Sequence, residues 1–277
     1  MKYCIYSSFE ILKKGVKRFG IPLKYTLLLI HMFENSDYEL WQGDCLELMK
    51  DIPDKSVDMI FTDLPYGTTH CKWDSIIPLD ELWTHYKRII KDNGAILLFA
   101  QTPFDKVLGS SNLQMLKYEW IWEKTQATGH LNAKKMPMKA HENILVFYKK
   151  LPTYNPQMTE GHTPIHSYTK YVSTQNNTEI YGRMNREISG GGETTRYPRS
   201  VLTFASDKQT CYLHPTQKPL ALCEYMVKTY TNEGDLVVDS CMGSNTTGLA
   251  CKNLKRRYIG IELEPQYFKI AKERMKK

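Results

Sequence analysis

The 277-residue chain has no Cys-x-x-Cys pair and no cluster of cysteine and histidine at zinc-ligand spacing. Its seven cysteines (Cys4, Cys45, Cys71, Cys211, Cys223, Cys241 and Cys251) are scattered, and so are its histidines. No metal ligand set is therefore assigned. The thiols read as buried side chains of a cytoplasmic protein in a reducing compartment. Long hydrophobic runs are also missing. The weak apolar stretch from Ile21 to Ile30 contains Pro22 and Lys24, is too short to span a bilayer and has no small-residue cleavage site. There are no internal repeats, and Gly190-Gly191-Gly192 is the single run of low complexity.

What is present is an ordinary globular composition, 42% hydrophobic and 24% charged, which argues against wholesale disorder. The length suits one large α/β domain or two small ones. The net charge of +7 is unevenly spread: residues 32–116 are strongly acidic, whereas 1–31, 117–150 and 252–277 are basic. An acidic half beside basic segments suits a polyanion binder with a separate chemical site, and it equally describes solvated faces. Met32 is expected as the natural start, with residues 1–31 an upstream extension. A basic accessory arm is the alternative, and an N-terminal peptide from before Met32 in the native protein would establish it.

Short apolar runs at Glu39–Gly43, Val57–Thr62, Ala95–Ala100, Glu119–Trp122, Asn143–Tyr148, Leu236–Asp239 and Tyr258–Ile261 read as strands buried on both faces. Between them lie stripes at helical spacing. One runs from Leu79 to Ile90 and is stopped by Asp92-Asn93-Gly94, another from Leu220 to Tyr230 after Pro219, and a last one follows Pro265. The alternation predicts a doubly wound, mainly parallel seven-stranded α/β sheet. Residues 151–207 break the pattern and read as a loop-rich insert or a linker. The arginines there (Arg183, Arg186, Arg196 and Arg199) are candidates for contacting phosphates and bases.

Two constellations carry chemistry. Asp63-Leu64-Pro65-Tyr66 follows the strand Val57–Thr62 and puts a carboxylate, a rigid turn and an aromatic face on one loop. Such a loop can hold a planar amine, and it can equally be a strand cap with a packed tyrosine. Far downstream, the strand ending at Asp239 runs into Ser240-Cys241-Met242-Gly243-Ser244-Asn245-Thr246-Thr247 and then a helix. Small residues there let a ligand approach the backbone, and free N–H groups point at it. Glu262 ends the next strand, 23 residues after Asp239, where a Rossmann-type fold places a carboxylate on ribose hydroxyls. A dinucleotide turn needs several glycines; the single Gly243 favours a nucleoside ligand without phosphates.

With these pieces in place the chain resembles the circularly permuted, beta-class DNA amino-methyltransferases. The matching segments are Gln42-Gly43-Asp44-Cys45-Leu46, the Asp63–Tyr66 loop, Lys139-Ala140-His141-Glu142, Arg196-Tyr197-Pro198-Arg199-Ser200, His214-Pro215-Thr216-Gln217-Lys218-Pro219, Asp239–Thr247 and Gly260-Ile261-Glu262. The resemblance implies a Rossmann-like methyltransferase domain split into a catalytic half (32–150) and a cofactor half (208–277), with a target-recognition insert (151–207) between them. It implies S-adenosylmethionine as cofactor. Asp239, Gly243, Ser244, Asn245 and Thr246 would line its methionine part, Glu262 its ribose and Asp44 its adenine amine. Thr216 and Lys218 would close over its carboxylate end. Asp44 could instead cap the helix beginning near Cys45, His214 could simply shape a turn, and His141 and Glu142 are expected to position the strand that follows.

Two positions depart from the family pattern: Leu64 stands for a usual proline and Asn245 for a usual glycine. The first is benign, because the inherited role is a backbone carbonyl and Pro65 keeps residue 64 extended. The second puts cofactor affinity in question if position 245 needs positive φ, although Asn tolerates that region better than other non-glycine residues. The implied reaction is methylation of the N6 amine of a flipped-out adenine in double-stranded DNA, with Asp63, Leu64, Pro65 and Tyr66 catalytic. N4-cytosine methylation and a catalytically inactive DNA-binding relative are the alternatives. A cognate restriction endonuclease is the protein partner such an enzyme would have, and the chain would act as a monomer or homodimer.

Overall fold

The computed structural model describes residues 33, 36–67, 74–172, 186–207 and 217–276. The expected N-terminal extension, Arg183, His214 and Thr216 lie outside the described residues. Two compact units emerge. One comprises the chain up to Asn155 together with Ser200 onward; the other is Pro156–Arg199.

The larger unit is built on one eight-stranded sheet. Its chain order is β1 (Tyr38–Gln42), α1 (Cys45–Leu48), β2 (Val57–Thr62), α2 (Leu79–Ile89), β3 (Ile90–Ala100), α3 (Phe104–Ser110), β4 (Leu116–Thr128) and β5 (Lys139–Phe147). In the smaller unit β6 (Tyr168–Val172) and β7 (Arg186–Gly190) follow, and the chain then returns through β8 (Val201–Phe204), α4 (Leu220–Tyr230), β9 (Leu236–Asp239), α5 (Thr246–Asn253), β10 (Arg257–Glu262) and α6 (Pro265–Lys276). The order across the sheet is β1-β10-β9-β2-β3-β5-β4-β8. Only β5 runs against its neighbours; every other adjacent pair is parallel. The sheet thus has one strand more than the seven read from the sequence. The extra strand, β8, falls within the segment read as loop-rich and pairs Val201–Phe204 with Ile121–Lys124. Four residues with alternating burial are too short a signal to stand out from a loop.

Side chains alternate across the strands, which explains why the apolar runs are continuous. Ile60, Ile96, Leu98, Leu145, Val238 and Ile259 pack on one face with Leu82, Trp83 and Tyr86 of α2 and Phe104 of α3. Met59, Phe61, Leu97, Phe99, Ile144 and Val237 pack on the other with Leu222, Met226 and Tyr230 of α4 and Cys251 of α5. Both faces are covered, as a mostly parallel sheet requires.

The position of β9 beside β2 decides where chemistry can occur. From β2 the chain winds outward through β3 to β5 and β4, and from β9 outward in the other direction through β10. The strands diverge there, so a crevice opens beyond their carboxyl ends.

The smaller unit contains the antiparallel pair β6–β7 and a bridge between Thr159 and Arg196. The Arg196 guanidinium donates to the carbonyls of Glu193, Thr195 and Thr163. It stitches its own loops together. Arg199 is exposed.

Candidate active site

The crevice at the β9–β2 junction is a cavity of about 660 Å³. Asp63 enters from the end of β2 and Asp239 from the end of β9, although 175 residues separate them in sequence. They are tied together through Thr62, whose Oγ1 donates to Asp239 Oδ1 at 2.6 Å and accepts from Cys241 N at 3.2 Å. One threonine thus joins the amine loop to the cofactor loop. Neither loop predicts that bond from its own sequence.

On the amine side, Asp63, Leu64, Pro65 and Tyr66 all line the cavity. Tyr66 Oη donates to Asp63 Oδ1 at 2.8 Å. Burial and the Asp63 carboxylate push the Tyr66 phenol well above its usual range, so it remains a donor. Its ring stacks on Phe104, with centroids 5.2 Å apart and planes at 25°. Phe104 is buried behind the ring and does not line the cavity, which leaves the ring a cavity-facing side. Gly67 N donates to Asp74 Oδ1 at 2.9 Å and anchors the end of the loop.

Lys218, assigned by resemblance to the cofactor's carboxylate end, lines the cavity between two carboxylates. Its Nζ is 2.6 Å from Asp63 Oδ2 and 3.1 Å from Glu142 Oε2, and only 9% of its side chain is exposed. Lys124 Nζ reaches Glu142 Oε1 at 2.7 Å. A chain of alternating charge, Asp63–Lys218–Glu142–Lys124, therefore runs along the wall. Lys218 also lies over the Phe99 ring, 4.9 Å from its centroid. Burial drives the lysine toward neutrality, but the two carboxylates outweigh it and raise its pKa above the ordinary lysine value. Burial raises the Asp63 carboxyl above the usual carboxylate range, against the pull of Lys218. Glu142 is also opposed by burial, yet Lys218 and Lys124 hold it below its ordinary value. Glu142, expected to position the strand that follows, is also a member of this charge chain and lines the cavity. Its neighbour His141 is exposed.

The cofactor side has the geometry of a nucleoside site. Gly243 adopts φ 51° and donates its N–H to Glu262 Oε2 at 2.8 Å, while Glu264 N donates to Glu262 Oε1 at 2.8 Å. Asn245 is left-handed (φ 63°, ψ 45°) and its side chain accepts from Gly248 N, capping α5. It is fully buried and does not line the cavity, so its work is to turn the loop. Ser244 and Thr246 do line it. They are held by Arg274 of α6, which donates to Ser244 O at 3.0 Å and to Thr246 Oγ1 at 2.8 Å. Asp239 is deeply buried, and burial pushes its carboxyl up to about 7. Asp44 lines the cavity and also caps α1, accepting from Leu46 N at 2.7 Å. The capping alternative is therefore realised, and the same carboxylate faces the cavity.

The residues fit S-adenosylmethionine. Besides its own carboxylate, the cofactor offers a sulfonium cation, an ammonium, ribose hydroxyls and an amine. The cavity meets them with the carboxylates of Asp44, Asp239 and Glu262. Among the described residues no group of three or more His, Cys, Asp or Glu is placed to hold a metal ion. Nor is any helix long and apolar enough to cross a membrane.

A Rossmann-like sheet with a carboxylate-bearing loop and a small-residue loop at its switch point defines a class: α/β proteins with a crevice for a nucleotide-like ligand beyond the strand ends. Comparison with known proteins narrows the class. The profile of a DNA methylase family that covers N6 and N4 enzymes matches residues 57–273, and the chain belongs to that family. It is 28% identical over 253 residues to the type II methyltransferase M.HpaI of Haemophilus parainfluenzae, covering 86% of this chain and 74% of the relative. Its fold is similar to the M1.HpyAVI–SAM complex (TM-score 0.58, 27% identity, 86% and 99% of the two chains). It is also similar in fold to the PvuII cytosine-N4-specific DNA methyltransferase (TM-score 0.62, 18% identity, 86% of each chain). The protein is thus an S-adenosylmethionine-dependent DNA methyltransferase.

Proposed function

We propose that this DNA methyltransferase acts on the N6 amine of an adenine extruded from duplex DNA. The observation that carries the reading is the Asp63 carboxylate, set in a cavity wall beside an aromatic ring and within one Thr62 hydrogen bond of the cofactor loop. An exocyclic amine conjugates with its ring and is a weak nucleophile. Hydrogen bonds from its two N–H groups to Asp63 and to the Leu64 carbonyl draw it toward tetrahedral geometry. They also stabilise the positive charge that develops on nitrogen, a form of electrostatic preorganisation. S-adenosylmethionine supplies the methyl group. One N–H proton must then leave, and Asp63, whose basicity is raised by burial, is the base already hydrogen-bonded to it.

The cavity-facing side of Tyr66 supplies a stacking surface for the base, worth about 1–3 kcal/mol. That offsets part of the few kcal/mol needed to take a base out of the helix. An N4-cytosine reading uses the same geometry, and the cytosine-specific fold neighbour keeps it in view. Asp rather than Ser at position 63 favours adenine on the family resemblance. The inactive alternative rested on Asn245, and a left-handed, capped Asn245 speaks against it. A cognate restriction endonuclease is the partner that the type II relative suggests.

Long-read sequencing of DNA from a methylation-deficient cell expressing the protein, joined to nucleoside analysis, tests the proposal. N6-methyladenine at a defined sequence is the expected product. N4-methylcytosine would transfer the reading to cytosine, and unmodified DNA would overturn it.

A further inference from the structure

The β4–β5 hairpin continues beyond the sheet that holds its base. β8 pairs with β4 only as far as Lys124, and β3 pairs with β5 only from Asn143 onward. Past those points the two strands, among the described residues, pair only with each other, at Thr128 and Lys139, and the Lys139 side chain reaches back to Gln101 Oε1 at 2.9 Å. Residues 128–141 are all exposed, and 124–141 hold four lysines and no acidic residue. The root of this arm belongs to the active site, because Lys124, Gln126, Thr128 and Lys139 line its cavity.

The tip is ordered by its own backbone. Gly129 is left-handed (φ 90°), Asn132 N donates to Gly129 O at 2.9 Å, Ala133 N to His130 O at 3.0 Å and Met136 N to Asn132 O at 3.0 Å. These turns hold Leu131 out, 98% exposed, with Met136 at 54% behind it. A leucine held this way by a hydrogen-bonded turn, with the exposed His130, Lys134 and Lys135 close to it in sequence, has the chemistry of a DNA wedge. Its apolar end suits a gap between base pairs, and its surround suits phosphates.

Resting on the reading of the cavity as a DNA amino-methyltransferase site, we propose that the 129–138 tip enters the duplex beside the target. Leu131 fills the space left by the extruded base, while Lys134 and Lys135 bind flanking phosphates. Charge selects duplex DNA as the occupant, since an eighteen-residue arm without one carboxylate complements a polyanion.

The test compares two duplexes carrying the mapped methylation site, one with the target base paired and one with it mispaired. Extrusion is cheaper from the mispaired site. Leu131→Ala should lower kcat/KM on the paired duplex by about tenfold or more and return to within about twofold of the unmutated protein on the mispaired one. Leu131→Phe, which keeps an apolar wedge, should retain activity on both. Replacing Lys134 and Lys135 by Ala should weaken both duplexes alike and flatten the slope of log affinity against log salt by about two. A Leu131→Ala protein unimpaired on both duplexes, or equally impaired on both, overturns the wedge while leaving the site reading intact. So would a dimer in light scattering that dissociates in Leu131→Ala with methylation unchanged, which would assign the tip to a second copy. An unmutated protein that methylates neither duplex overturns the site reading itself, and the wedge with it.

Discussion

Replacing Lys218 by Met would remove the cation that Asp63 and Glu142 share. Both carboxylates would stay in the wall, with the 2.6 Å and 3.1 Å contacts gone. Removing one partner of a buried ion pair costs about 3–5 kcal/mol, because an uncompensated charge remains. Asp63 keeps 22% of its side chain exposed and Glu142 keeps Lys124, so the lower end, about 3 kcal/mol, applies here. At about 1.36 kcal/mol per pKa unit, that corresponds to roughly two units shared between the two carboxyls. The sign follows from charge: with the ammonium gone, Asp63 rises further above its usual range and Glu142 loses part of the pull that holds it low. Asp63 then reaches its ionised form only at higher pH, and the acid limb of the methylation rate should move up by about one pH unit. Stability carries the same signature. The deficit relative to the unmutated protein is full at pH 8, where both carboxyls are charged, and shrinks as the pH falls through the range in which they take up protons. About 3 kcal/mol corresponds to a Tm loss of roughly 6–12 °C at pH 8. Thermal melts at the two pH values and a pH–rate profile suffice. An unmoved acid limb, or equal Tm losses at pH 5 and pH 8, would refute the role given to Lys218.

Asp63→Ala should cost about 10²–10³ or more in kcat while calorimetry still shows cofactor binding, since only the amine clamp is lost; retention of a tenth of the activity would remove Asp63 from its role. Asp239, raised by burial to about 7, stabilises the free protein fully below about pH 4 and no longer above pH 7. A cationic cofactor prefers the carboxylate, so affinity for S-adenosylmethionine should rise as pH climbs through 7, with proton release below it. Asp239→Asn should bind weakly and without that dependence. Asn245→Ala should cost about 2 kcal/mol by losing the cap on Gly248 and straining a left-handed residue. Asn245→Gly should melt within a degree or two of the unmutated protein, and a reversed order would contradict the loop geometry.

Much of the fold was legible because β2, β3, β9 and β10 carry apolar runs buried nearly throughout, and apolar runs also marked β1, β4 and β5. β8 was not legible. Its burial comes from pairing with β4 rather than from its own composition. The direction of β5 was equally hidden, since an antiparallel strand inside an otherwise parallel sheet has the same apolar signature as its neighbours. At the site, the amine loop and the cofactor loop stood out by motif, as did Glu262 at the end of β10. Phe104 behind Tyr66, Arg274 on the cofactor loop and Glu142 on Lys218 did not, because each acts through a contact made across the fold.

The sequence by itself determined which loops to propose for the chemistry and which cofactor to expect: the residue types are local, and a strand end followed by small residues or by Asp-Leu-Pro-Tyr is recognisable wherever it lies. Tertiary structure alone decided which loops share a crevice and which charges meet. The switch between β9 and β2 brings Asp239 to Thr62, and the same winding sets Lys218 between Asp63 and Glu142. A buried ion pair depends on distance in space and on the loss of water around it, and neither quantity is written along the chain.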